Sequence, residues 1–165
     1  MRYDELESAI VERLQTVATA LNIQIVELPE NQAAYAKPFV TARVTVAYNG
    51  SVFNGGRYGS NVPTMSVDTS TQEEDIEFVL SIQSRKRRGN GHGIYNVMEQ
   101  LRLRLLGFEP MNLDKMKLVE QKFDEYAENV WTYTQKYATK RISTYQIEDG
   151  DDPTLDSVSF VENFN

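Results

Sequence analysis

The sequence predicts an α+β fold, a mainly antiparallel sheet of about four to five strands with two helices packed on one face. Two observations predict it. Residues 4–21 and 94–105 repeat apolar side chains every three or four positions, the period of a helix with one buried stripe. Residues 39–48 and 74–85 instead alternate apolar and polar side chains, the period of a strand with one buried face.

In the first helix the stripe is Leu6, Ile10, Leu14, Val17 and Leu21, with Asp4, Glu5 and Glu7 near the positive end of its dipole. A short strand over residues 23–28 follows and stops at Pro29. Residues 30–38 read as a loop. The clearest strand, residues 39–48, sets Val40, Ala42, Val44, Val46 and Tyr48 against Thr41, Arg43, Thr45 and Ala47, and Asn49–Gly50 is a turn signal. Residues 51–73 are rich in Gly, Ser, Asn and Thr and carry no helix period, so they read as a long loop, functional or disordered. Within it Phe53, Arg57 and Tyr58 are candidate contacts to neighbouring proteins.

The next strand turns Ile76, Phe78, Leu80 and Ile82 one way and closes on Arg85, Lys86, Arg87 and Arg88. Gly89, Asn90, Gly91 and Gly93 break the pattern, and Ile94, Val97, Met98, Leu101 and Leu105 then form the second helical stripe, ended by Gly107 and Pro110. Residues 117–125 and 130–139 read as two strands around the turn Ala127, Glu128, Asn129. Trp131, Tyr133 and Tyr137 occupy one face of the second and are expected to pack on a helix or a neighbouring strand. The reading gives one domain over 1–147 and an acidic tail over 148–165.

The composition excludes several classes of function. The chain has 165 residues, 41% hydrophobic and 25% charged, as expected of a soluble globular protein. No apolar run approaches the ~20 residues that cross a bilayer. The first residues carry acids where a secretory signal has a basic and then an apolar stretch, so the expectation is a protein made in the cytosol, with no membrane partner. Without cysteine there is no disulfide, thiol nucleophile or thiolate metal site. The net charge of −7 opposes non-specific adhesion to DNA. That charge is uneven. Residues 85–104 are basic, whereas Glu148, Asp149, Asp151, Asp152, Asp156 and Glu162 mark a tail without lysine or arginine. That tail reads as mobile, with Val158, Phe160, Val161 and Phe164 as apolar groups able to dock on a partner.

No constellation supports catalysis. His92, the single histidine, stands among glycines without a partner motif and reads as a turn residue. The glycine run before the second helix lacks the lysine and Ser/Thr of a P-loop, and its spacing is not that of a dinucleotide site. Glu73, Glu74 and Asp75, like the acids of the tail, lack calcium-loop spacing. No enzyme, cofactor or metal is expected. The residues singled out are the arginines of the basic edge, Arg85, Arg87 and Arg88, with Arg102 and Arg104 on the exposed side of the second helix. They are expected to face another subunit or a lumen.

The order of features resembles a known family. The helix ELESAIVERL, the strand end VELPE, the strand TARVTVAYNGS, the helix and exit GIYNVMEQLRLRLLGFEP and the aromatic strand WTYTQKY are similar to those of tail terminator (tail completion) proteins of Mu-like, contractile-tailed phages. The resemblance covers roughly residues 4–140; the long loop and the acidic tail depart from a minimal member. It implies a virion protein, assembled in the host cytoplasm, that forms a ring, commonly a hexamer, at the head-proximal end of the tail. Such a ring stops growth of tube and sheath, offers a docking surface to neck proteins and surrounds DNA passing through its lumen. Another head–tail connector or neck protein, or a small nucleic-acid-binding module using the basic edge, are the alternatives.

Overall fold

The computed structural model describes residues 1–30, 38–39, 41–57 and 69–146. The elements are α1 (Tyr3–Leu21), β1 (Gln24–Glu27), β2 (Ala42–Arg57), β3 (Thr69–Ser84), α2 (Ile94–Leu105), a 3-10 turn (Pro110–Asn112), β4 (Lys117–Ala127) and β5 (Val130–Gln146). The five strands form one sheet in the order β1-β2-β3-β5-β4. It is a mixed sheet: β1 runs parallel to β2, with Ile25 opposite Val44, and β4 runs antiparallel to β5. The fold class is thus the α+β expected, and the parallel pair is a detail that the sequence reading did not specify. A parallel neighbour needs a crossover rather than a tight turn, and the connection of residues 28–41 is long enough to make one.

The chain divides into two units, residues Met1–Val52 with Asp75–Arg141 and residues Phe53–Glu74 with Ile142–Asn165. The first holds the core. Leu6, Ile10 and Leu14 of α1 and Ile94, Leu101 and Leu105 of α2 are fully buried, together with Val44 and Val46 of β2 and Phe78, Leu80 and Ile82 of β3. They belong to one apolar cluster, and α1 packs against both β1 and α2. Both helical stripes read from the sequence are therefore the buried ones.

Local chemistry sets the helix ends. Asn22 takes the left-handed conformation that ends α1, and the Ile23 amide donates back to the Ala18 carbonyl at 3.0 Å. Gly107, at φ 76°, ends the turn after α2, and its amide reaches the Met116 carbonyl at 3.0 Å.

The second unit contains the outer ends of β2, β3 and β5. This corrects the sequence reading of residues 51–73 as loop: residues 51–57 continue β2 and residues 69–73 begin β3. Glycine, serine and asparagine weaken strand propensity, yet pairing with a neighbour overrides it, because propensity in a sheet is mostly a matter of context. Tyr58 and the acidic tail 148–165 lie outside the described residues.

Candidate functional site

The basic turn is built to hold its shape. Gly89 and Gly91 take positive φ of 94° and 70°, which side chains resist. Gly93 is required for another reason: a Cβ there would stand 2.4 Å from the Gly89 carbonyl oxygen. The first amides of α2 are used by the turn itself. Ile94 N–H donates to the Lys86 carbonyl at 2.9 Å and Tyr95 N–H to that of Arg87 at 3.5 Å. Asn96 Nδ2 donates to the Gly91 carbonyl at 2.8 Å. These bonds take up amides that a phosphate would need. His92 joins the same frame through its carbonyl, which accepts from Ser84 Oγ at 2.5 Å.

The arginines leave this turn in different directions. Arg85 stacks on the Phe39 ring at 5.3 Å, as Arg43 does at 5.1 Å. With Arg43, Gln83, Glu125 and Glu128 it lines a cleft of about 470 Å³. Arg87 turns instead to the hairpin of β4 and β5. Its guanidinium lies 4.9 Å from the Trp131 ring centre and 5.5 Å from that of Tyr95. Its Nε donates to the Tyr95 hydroxyl at 2.7 Å, and that hydroxyl stands 3.3 Å from the hydroxyl of Tyr133. Arg88 is exposed and makes no hydrogen bond or ion pair among the described residues. Arg102, its side chain 42% exposed, forks onto Glu99 one turn earlier, at 3.0 and 3.1 Å. Arg104 is exposed, and its carbonyl accepts from Arg13. Phe53 is 54% exposed on β2 in the second unit, where Arg57 is the last residue of that strand.

Around Arg87 the structure assembles an aromatic surface. Tyr95 meets Tyr133 edge-on at 5.9 Å, Tyr133 meets Phe123 at 5.3 Å, and Trp131 lies 6.2 Å from Phe123 and 4.2 Å from Tyr126. Tyr95, Phe123 and Tyr126 remain 38%, 50% and 52% exposed. The expected packing of Trp131 and Tyr133 on a helix and a neighbouring strand is what the structure shows. The contribution of β4 is what the sequence reading missed. Phe123 and Tyr126, three apart, belong on opposite faces of a regular strand. A bulge between Phe123 and Glu125 shifts the register, so Phe123 pairs with Tyr133 and Tyr126 with Trp131. Glu120, after an earlier shift at Leu118, pairs with Lys136, and Glu125 pairs with Thr132, on the other face. The face that Arg87 joins therefore receives the rings of β4 and not its acids.

The electrostatics follow the hydrogen bonds. The bond to Tyr133, and then that from Arg87, hold the Tyr95 hydroxyl below the ordinary tyrosine value. Tyr133 moves upward, through its bond to Tyr95 and through burial. Among the described residues no group of three carboxylate or histidine side chains is placed to hold a metal, and no helix is long and apolar enough to cross a membrane. The arrangement offers a flat arginine, a second cation beside it and exposed rings. Rigid aromatic groups and arginine are the residue types enriched at protein interfaces.

A family model described as Gp37 protein matches residues 10–162. The chain belongs to the Gp37 family. No curated protein matches it. Among solved structures, a chain from the virion of a native gene transfer agent particle has the same fold, with a TM-score of 0.52 and 10% sequence identity. The match covers 83% of this chain and 94% of that one.

Proposed function

We propose that this Gp37-family chain is a non-enzymatic structural protein of a phage virion, and that its place is the tail terminator. In this reading a ring of copies caps the head-proximal end of tube and sheath, ends their growth and receives the neck proteins. The observation that carries the reading is the fold likeness, which runs over nearly the whole of a chain that is itself part of a virion particle. The tail-terminator resemblance over residues 4–140 supports the finer assignment. The arginine–aromatic surface supports it too, because a ring joins one patch of a subunit to a different patch of the next.

Two measurements test it. Negative-stain images and native mass of the purified chain should show closed rings, commonly hexamers. Phage lacking the gene should make tails of uncontrolled length. A protein that stays monomeric beside tube and sheath proteins, with tails of normal length in its absence, overturns the assignment.

A further inference from the structure

Among the described residues the face around Arg87 keeps Tyr95, Phe123 and Tyr126 exposed, and the sequence holds one segment with the matching chemistry. Residues 148–165 carry acids and no base, and they include Phe160 and Phe164. The surface carries Arg87 and Arg88, with exposed rings beside them. The family match extends to residue 162, so most of this segment belongs to the pattern that defines the family. Extended chain spans ~3.3 Å per residue, so a segment of this length reaches about 60 Å, ample for crossing to a neighbour.

We propose that the acidic segment 148–165 of one copy docks on the arginine–aromatic face of a second copy. Its carboxylates meet Arg87 and Arg88, and a phenylalanine packs among Tyr95, Phe123, Tyr126 and Trp131. Arginine suits both halves of this contact, because its planar guanidinium forks onto carboxylates while its flat face stacks on rings. The acids of β4 pair onto the opposite face, so an incoming carboxylate does not meet them. The inference rests on the ring reading for the supply of neighbours, but it is a claim about one contact and is tested separately.

The test uses the full chain with Phe160 replaced by the photoreactive benzoylphenylalanine, mixed with isotope-labelled chain that lacks the replacement. The expected result is cross-linking between labelled and unlabelled chains, mapped to peptides containing Tyr95, Phe123 or Trp131. The yield should fall about fivefold when salt is raised enough to screen exposed charges. Arg87→Glu with Arg88→Glu should abolish the cross-link. Adding Asp151→Lys and Asp152→Lys to the photoreactive partner should restore it. Cross-links confined to one chain, cross-links mapping elsewhere, or no cross-link overturn the proposal. Rings without this cross-link leave the ring reading standing and remove the docking; the cross-link in a protein that forms only open dimers keeps the docking and removes the ring.

Discussion

The two ends of the sheet are finished differently. At the β1 end the strand is only Gln24–Glu27, and side chains of α1 tie down the sheet there. Past β1, the Tyr48 amide of β2 donates to the Glu7 carboxylate of α1 at 2.6 Å, in the place of a further strand partner. Ser8 Oγ ties α1 to Glu27 at 2.6 Å, and Tyr3 stacks on Tyr48 at 4.0 Å. At the other end β4 runs for 11 residues, and its second part, from Gln121 to the strand end at Ala127, is exposed throughout. It carries rings on one face and charges on the other, with two bulges that interrupt the register. Bulges and charges blunt an edge against strand addition, so this end is shaped for side-chain contact rather than for extending the sheet. One end is tied down by its own side chains, and the other leaves rings and cations exposed. A molecule with unlike ends is the raw material of a heterologous contact.

The sharpest way to break this comparison is to truncate a side chain at each end. Leu14→Ala, in the helix that packs on β1, should cost roughly 2–5 kcal/mol, because a fully buried leucine leaves a cavity. Phe123→Ala should cost about 1 kcal/mol, since the ring is half exposed and loses only its aromatic neighbours. Urea unfolding measures both. Equal losses would show that the β4 end is part of the stabilising core and not a surface kept for a partner.

Glu7 sharpens the account of the closed end. Burial raises its pKa despite the bond from the Tyr48 amide, with repulsion from Glu27 and Asp4 adding to the rise. A carboxyl whose folded pKa lies above its unfolded value stabilises the fold when protonated, and that contribution is lost as pH rises through the folded value. At neutral pH, Glu7→Gln should therefore be well tolerated, because the amide oxygen still accepts from Tyr48 and no charge is buried. Glu7→Ala leaves a strand amide unpaired and should cost about 1–3 kcal/mol. If glutamine is as damaging as alanine, the carboxylate charge matters and the capping role assigned here is wrong.

Much of the fold was legible, and particular residues show why. Leu14 and Leu101 sit at the centres of helical stripes, and a stripe of that period has one way to be buried. The alternation from Ile76 to Ile82 fixed a strand face in the same way. The extension of β2 through Phe53 was not legible, because glycine and asparagine there signal turns and only pairing makes them strand. The parallel β1–β2 pair was hidden because alternation does not encode direction. For the site, the basic edge was readable but its division was not: Arg85 joins Arg43 over Phe39, while Arg87 joins Trp131 across the sheet. The pairing of Arg102 with Glu99 could have been read, since three residues apart on a helix is contact distance. The union of Phe123 and Tyr126 on one face could not, because a bulge is a property of two strands together.

Reversing charge at the open end should change assembly and little else. Arg87→Glu with Arg88→Glu removes two exposed cations, and the isolated chain should keep its thermal midpoint and far-UV spectrum. Rings, or tails of controlled length, should be lost. Normal rings and normal tails from the doubly reversed protein would reduce the basic edge to a solvated surface.

The smallest effect is the most local, and it reports whether Arg87 sits where the geometry places it. Tyr95 should ionise at lower pH than an ordinary tyrosine, because the bonds from Tyr133 and Arg87 favour its charged form. The sign then fixes two substitutions. Tyr133→Phe removes the largest single cause and should move the Tyr95 titration upward. Arg87→Gln removes both the bond and the nearby charge of the guanidinium and should also move it upward, while Arg88 continues to lower it through space. Site-specific NMR of the Tyr95 ring carbon follows each titration without requiring assembly. An unchanged Tyr95 titration in Arg87→Gln would mean that the guanidinium does not rest on this ring in solution, and the arginine–aromatic face would lose its centre.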